Sequence, residues 1–253
     1  MIQKTFDVDG SPDIEVRIES GKIEVHQGEH FKVDVTADTS SPGFIVEQRG
    51  NSILVSSDKT TSWLSRGSAH VVIETPEGSD LSIGVASAEI RVSVPVGKAE
   101  IKTASGDIEL GRAESLAIKT ASGDVDVESV EHALTFTSAS GDLRVRDVCR
   151  GSVVIATASG DIHINDCEAS ITVNTASGDV AVSRFTGRNA SFKGMSGEVE
   201  LGIPRGTEVD LDVNLLSGRL RLPDTEPARG GDPERRVSLK AKLVSGDMTI
   251  QRV

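Results

Sequence analysis

The segment at residues 118–127 reads Ile118-Lys119-Thr120-Ala121-Ser122-Gly123-Asp124-Val125-Asp126-Val127. Its central tetrapeptide, Ala-Ser-Gly-Asp, occurs five times in the chain. The serines of these five motifs are Ser105, Ser122, Ser140, Ser159 and Ser177. These serines are 17, 18, 19 and 18 residues apart. A short period that is sustained this long is typical of a solenoid, in which each repeat forms one coil that stacks on the preceding one. We therefore expect coils that follow one another in chain order, ~4.8 Å apart.

Apolar residues alternate with polar ones on both sides of each serine. Around Ser122 the apolar positions are Leu116, Ile118, Val125 and Val127. A period of two predicts a strand with one buried face. The apolar residues fall on even positions before Ser122 and on odd positions after it, so we expect the chain to turn a corner at the Ser-Gly pair. The sequence thus predicts an all-β fold, a parallel β-solenoid (β-helix) with coils of about 18 residues, two short strands per coil and Ser-Gly corners. The corner glycines are Gly106, Gly123, Gly141, Gly160 and Gly178.

The same register extends over most of the chain. Around Ser217 the predicted inward residues are Leu211, Val213, Leu215, Leu220 and Leu222. We therefore expect one domain over residues 1–253, with irregular N-terminal coils and a cap over 1–80, regular coils over 81–222 and a final coil over 237–253. Within the first part, Phe44–Val46 and Ile53–Val55 flank a turn and predict a strand pair. Residues 56–68 are predicted to form a loop, and residues 223–236 an exposed insertion.

Composition and charge exclude several classes of function. The net charge is −12, and the chain has no basic stripe with which to displace counterions, so we expect no binding to nucleic acid. It has neither a leader pattern nor a run of about 18 apolar residues, so we expect a soluble, cytoplasmic chain without membrane insertion. Cys167 takes an inward position and Cys149 an outward one, which predicts a buried free thiol rather than a disulfide.

The corner aspartates are the one constellation with a candidate chemistry. Stacked coils would place them in a ladder of carboxylates, which could bind divalent cations because hard cations take oxygen ligands. The alternative is structural: glycine supplies a positive φ at the corner, and the Ser and Asp side chains bond the backbone amides of their own turn. We favour the structural interpretation, because Arg219 occupies this position in a later coil. The ladder consists of Asp107, Asp124, Asp142, Asp161 and Asp179.

Catalysis has little support in the sequence. The five histidines lack metal-ligand spacing, and Ser-Gly pairs that recur in every coil serve a turn rather than a unique nucleophile. We therefore predict no catalytic residue, no cofactor and no metal. Trp63 is the only tryptophan, and it is a candidate partner contact or, alternatively, a cover for an open solenoid end.

The repeated word in Ile118–Val127 and Val173–Val182 resembles a bacterial family of β-strand repeats of unknown function, called toastrack and often labelled putative adhesin. The resemblance covers about residues 6–253. It implies a β-solenoid scaffold without established catalytic residues. Some relatives resemble envelope-stress signalling proteins attached to membrane segments, whereas others are soluble.

Three classes of function remain open. We favour a non-catalytic scaffold that binds an unidentified protein partner. The first alternative is a surface adhesin or an envelope-stress-related structural protein, which would require export. The second is a β-helix enzyme that acts on polymers, although aromatic residues, which bind sugars, make up only 3% of the chain. Self-association through solenoid ends is a further candidate, because an end coil carries unpaired backbone groups.

Overall fold

The computed structural model describes residues 1–39, 44–57, 68–223 and 235–253, and the side chain of Thr39 is excluded. Within these ranges the chain forms 21 strands and no helix. Most strands pair in parallel, which confirms the prediction of an all-β, largely parallel fold. The described residues form two compact units, Met1–Glu128 and Ser129–Val253, and each is considered by itself. Trp63 and most of the two segments predicted as loop and insertion lie outside the described residues.

The first unit is a stack of parallel strands in which β2 occupies an interior layer. Ile14 of β2 aligns with Leu81 of β7 on one side and with Ile53 of β5 on the other. The second half of β2 pairs in the same way with β6. The strands are β1 (Ile2–Asp7), β2 (Asp13–Gln27), β3 (Lys32–Thr39), β4 (Phe44–Arg49), β5 (Ser52–Ser57), β6 (Ser68–Thr75), β7 (Ser79–Val92), β8 (Val96–Lys102), β9 (Ile108–Lys119) and β10 (Val125–Ser138), the last of which continues into the second unit.

Antiparallel strands close one side of the first unit. β4 pairs antiparallel with β5, which confirms the predicted strand–turn–strand pair. β3 pairs antiparallel with β6, and β1 with β3. Val33 and Val35 of β3 and Val55 of β5 are fully buried. In the described part of the first unit, no row of inward aliphatic side chains is therefore left open at this side.

The second unit repeats the parallel stacking with two strands for each period. Val153 aligns with Ile171, and Ile162 with Val180, so the partners are 18 residues apart in sequence. The strands that follow β10 are β11 (Leu143–Val148), β12 (Ser152–Thr157), β13 (Ile162–Cys167), β14 (Ser170–Thr175), β15 (Val180–Phe185), β16 (Asn189–Ser196), β17 (Val199–Ile203), β18 (Thr207–Ser217), β19 (Leu220–Arg221), β20 (Arg235–Ser245) and β21 (Met248–Arg252).

The stacking order of the last coils differs from the expectation of chain order. Leu239 of β20 aligns with Ala190 of β16 on one side and with Leu211 of β18 on the other. The C-terminal coil (β20 and β21) is therefore inserted between the coil of β16 and β17 and the coil of β18 and β19. This order is available because every coil presents the same inward row and the same backbone hydrogen-bonding groups to its neighbours.

The core consists of the inward aliphatic rows. The inward residues predicted around the five Ala-Ser-Gly-Asp words are buried, which confirms the register; Ile155, Ile164 and Val173, for example, are at most 1% exposed. Phe136, Phe185 and Phe192 add larger side chains to the second unit. Each buried aliphatic side chain contributes ~1.5–3 kcal/mol, so the repetition of one row in each coil yields a large core.

Candidate functional site

The glycine corners allow successive coils to approach closely. Gly160 has a φ of 120°, a conformation that residues with a side chain rarely adopt. A Cβ atom at this position would collide with the backbone carbonyl of Gly141 in the adjacent coil. The corner therefore requires glycine both for its backbone conformation and for its packing.

A hydroxyl group bonds the backbone of the turn at each of the five Ala-Ser-Gly-Asp corners. Thr157 Oγ1 donates a hydrogen bond to the carbonyl oxygen of Ser159 at 2.8 Å, and the threonine is buried. The bond joins residues of one turn and does not run from coil to coil. The same bond is made by Thr103, Thr120, Ser138 and Thr175.

The corner carboxylates bond the backbone of the next coil. Asp161 Oδ1 accepts a hydrogen bond from the Asp179 amide at 2.9 Å, and Asp142 Oδ1 accepts one from the Asp161 amide at 2.9 Å. In the first unit, Asp107 Oδ1 accepts from the Asp124 amide at 3.0 Å. We expected bonds within a single turn, but parallel stacking brings the next amide to the carboxylate. These carboxylates therefore help to hold successive coils in register.

A cation ladder receives no separate geometric support. Among the residues that the structure describes, no group of three or more His, Cys, Asp or Glu is arranged to hold a metal ion. One oxygen of Asp161 is already engaged by a backbone amide. The cation interpretation of the corner carboxylates stays a prediction that only a binding measurement can test.

The two cysteines have different environments. Cys167 is buried and Cys149 is exposed, and both are free thiols, as the sequence predicts. Burial raises the pKa of Cys167 to about 12, so its thiol stays protonated at neutral pH. Cys167 is therefore an unreactive part of the core.

One carboxylate in the first unit has a strongly shifted pKa. Glu24 lies 2.7 Å from the Lys22 ammonium and 2.9 Å from Nε2 of His70. The hydrogen bond from Lys22, followed by the bond to His70, lowers the pKa of Glu24 to about 2. Because Glu24 lies on β2 and His70 on β6, the hydrogen bond between these side chains links two layers of the unit.

The coil of β18 and β19 leaves its inward aliphatic row open. Leu211, Leu220 and Leu222 are 36%, 38% and 52% exposed, whereas their counterparts in interior coils are almost fully buried. β18 pairs with β20 along one edge, and no described strand pairs with its other edge. We call this surface the open edge; it consists of β18, β19 and the side chains of Val209, Leu211, Val213, Leu215, Leu220 and Leu222.

An acidic row lies on the outward face of β18. Glu208, Asp210 and Asp212 alternate with the inward residues and are exposed. On the paired side, β20 presents basic residues, and Arg236 Nε lies 2.8 Å from Glu208 Oε2. The sequence shows the alternation of acidic with aliphatic residues over 208–213, but we did not predict the acidic row from it. What it could not show is that the row borders a free edge.

A shallow depression lies at the corners of the three outermost coils of the second unit. It has a volume of about 600 Å³. Here Asp247 Oδ1 accepts the Arg219 amide at 2.9 Å, and Arg221 Nη2 lies 3.4 Å from Asp247 Oδ2. Arg219 occupies the position that aspartate holds in the five Ala-Ser-Gly-Asp corners. The coil of β18 and β19 therefore has no corner carboxylate that could accept a backbone amide of a further coil. The depression is lined by Ser196, Gly197, Glu198, Ser217, Gly218, Arg219, Ser245, Gly246 and Asp247.

Parallel layers, glycine corners and repeated inward rows define a β-solenoid-like repeat protein. A family model described as Toastrack DUF4097 matches residues 12–253. The chain belongs to this family, which confirms the resemblance inferred from its repeats. The family is one of unknown function.

The chain is also similar to solved structures. A crystal structure described as a putative adhesin from Parabacteroides distasonis has 12% identity and a TM-score of 0.38, with 100% of this chain and 96% of that chain covered. Another, from Bacteroides fragilis, has 15% identity and a TM-score of 0.35 at the same coverage. No protein with a curated description matches the chain. Among the described residues, no helix has the length and apolar character needed to span a bilayer.

Proposed function

We propose that this protein is a non-catalytic scaffold that binds another protein through the open edge. The observation that carries the proposal is the exposure of an aliphatic row that is sealed in the interior coils. Aliphatic side chains next to unpaired strand amides favour protein association. Another strand would bury the side chains and form hydrogen bonds with the amides. Leu216 is also 80% exposed, but it lies on the outward face of β18 and is not part of the inward row of the open edge.

The corner chemistry supports a scaffold rather than an enzyme. The five Ala-Ser-Gly-Asp corners repeat the same hydroxyl bond to a backbone carbonyl, and catalysis would require one corner to differ in its environment. The outermost corner does differ, but its charged groups Arg221 and Asp247 pair with each other. No nucleophile–base pair accompanies them among the residues that line the depression.

We place the protein in the cytoplasm, where a scaffold of this kind would meet an intracellular partner. The two free cysteines support a reducing compartment, because exposed thiols such as Cys149 become oxidised outside the cell. The alternatives, a surface adhesin or an envelope-stress-related structural protein, require an exported chain. The location of the native protein therefore separates these classes.

The test is capture of partners by the tagged full-length chain in the native organism, after separation of cytosol, membrane and cell surface. The edge variant carries Leu211→Asp and Leu215→Asp, and the matched control is Leu216→Asp on the opposite face of β18. We expect a cytosolic partner that the control retains and the edge variant loses, and the purified partner should bind with the same pattern.

Two outcomes would overturn the proposal. Equal capture by the edge variant and the control would remove the open edge as the binding surface. Recovery at the cell surface would favour the exported alternatives. Circular dichroism and urea unfolding of both variants establish that any loss reflects the surface rather than the fold.

A further inference from the structure

We propose that the open edge receives an extended strand of a partner protein, in which aliphatic residues alternate with Lys or Arg. The inference rests on the proposed function and names the chemistry of the partner at that surface. Three features carry it: the direction of the free backbone groups, the charge of the outward row, and the unsuitability of the other candidate strands.

The free backbone groups of β18 belong to its inward residues. In β20 the outward residue Ser238 donates its amide to Arg188 O in the preceding layer at 2.8 Å. Because strand amides alternate in direction, the inward residues of β20 bond to β18, and the outward residues of β18 bond back to β20. Leu211 and Val213 therefore point their N–H and C=O groups away from β20, into the open edge.

An added strand would extend both the inward aliphatic row and the outward charged row of the second unit. Its inward side chains would cover Leu211, Val213 and Leu215, as Leu239, Ala241 and Leu243 of β20 do from the other side. Its outward side chains would lie beside Asp210 and Asp212. Opposite charges at adjacent cross-strand positions stabilise a sheet, and like charges destabilise it, so the complementary strand is basic on this face.

β20 itself illustrates the required pattern. Its outward residues include Arg236, Lys240 and Lys242, and its inward residues are aliphatic. Lys240 is aligned with Asp212, and Arg236 forms an ion pair with Glu208. β18 thus already accepts one strand of alternating aliphatic and basic residues, and its second edge presents the same side chains.

Other occupants match the open edge less well. Residues 224–234 contain no Val, Ile, Leu, Met or aromatic residue, so they cannot supply an aliphatic row. A second copy that paired its own β18 with this one would bring two acidic rows onto one face of the sheet. Among its described residues the first unit offers no open aliphatic row, because Val33 and Val35 of the antiparallel strand β3 are fully buried.

The corner limits the length of the partner strand. Arg219 offers no carboxylate to accept the corner amide of a further coil, unlike Asp161 in the interior. The added strand should therefore follow β18 from Val209 to Leu215 and stop before the corner. Seven residues of strand are about 23 Å long.

The test uses the full-length chain and three synthetic peptides. The first alternates Val or Leu with Lys over nine residues, the second replaces each Lys by Glu, and the third is a scrambled version of the first. We expect the lysine peptide to bind in fluorescence anisotropy, more weakly as salt rises, and the other two to bind at least tenfold more weakly. Equal binding of the lysine and scrambled peptides would overturn the strand model in favour of bulk charge attraction.

Two variants test the geometry. Val213→Pro removes an amide that points into the open edge, and proline is tolerated on edge strands, so we expect at least a tenfold loss of lysine-peptide binding in a folded protein. The double variant Asp210→Lys and Asp212→Lys should transfer the preference to the glutamate peptide. An unchanged preference would overturn the charge argument.

The remaining outcomes separate this inference from the proposed function. If the edge variant loses the native partner but the lysine peptide fails to bind, the scaffold function stands and the strand chemistry is wrong. A dimer in sedimentation that Val213→Pro abolishes would assign the open edge to a second copy. Stronger peptide binding after replacement of residues 224–234 by a Gly/Ser segment of equal length would assign it to that segment instead.

Discussion

Substitution of one corner glycine should destabilise the protein through its contact with the neighbouring coil. Gly160→Ala places a methyl group where the carbonyl of Gly141 already lies, at a φ of 120° that alanine rarely adopts. The backbone conformation alone costs alanine about 1–2 kcal/mol. Relief of the collision requires two coils to separate locally, which adds about 1–3 kcal/mol by analogy with overpacked cores.

The matched control has the positive φ without the collision. Gly50, in the turn between β4 and β5, has a φ of 64°, and a Cβ atom there would meet nothing within 4 Å. Gly50→Ala should therefore cost only the backbone conformation, about 1–2 kcal/mol. Gly160→Ala should cost about 2–5 kcal/mol, a large fraction of the ~5–15 kcal/mol that is typical of a folded domain.

Urea unfolding followed by far-UV circular dichroism measures both variants. The difference between them reports the collision together with the greater strain of alanine at a φ of 120° than at 64°. A free energy of unfolding for Gly160→Ala within about 0.5 kcal/mol of that for Gly50→Ala would refute the argument, because that difference is within the usual scatter of surface substitutions. It would mean that the coils separate at the corner at little cost.

Three further predictions concern individual side chains. Asp161→Asn should keep the acceptor for the Asp179 amide and change stability little, whereas Asp161→Ala should cost about 0.5–1.5 kcal/mol; calcium-dependent stabilisation lost in both variants would instead indicate a cation site. The pKa of Glu24 is lowered to about 2 in the folded protein, below its ordinary value of 4.5. The ionised carboxylate therefore stabilises the fold above pH 4.5, and this stabilisation is lost as the pH falls towards 2. Urea unfolding at pH 7 and pH 3 should show a smaller loss for Glu24→Gln than for the wild type. Iodoacetamide at pH 8 should label Cys149 alone in the native state, and mass spectrometry that finds rapid labelling of Cys167 would contradict its burial.

The inward face of most strands could be predicted from the sequence because side-chain direction has a period of two in any strand. Ile118 and Val125 illustrate this: their positions relative to Ser122 predict burial, and both are buried. A tight turn at the Ser-Gly pair was expected for a similar reason, because the inward residues change from even to odd positions there. Leu211 follows the same pattern, but its exposure could not be predicted, because periodicity specifies which face a residue occupies and not whether another layer covers it.

The sequence by itself determined the repeat, the β class and the inward rows, all of which follow from local chain geometry. Only the tertiary structure decided that β20 lies between β16 and β18 and that the coil of β18 and β19 is left at the margin. The physical reason is that stacked coils are nearly interchangeable: each presents an aliphatic row on its inner face and the same amides at its edges. Local periodicity therefore leaves the order of layers unspecified, and that order creates the open edge.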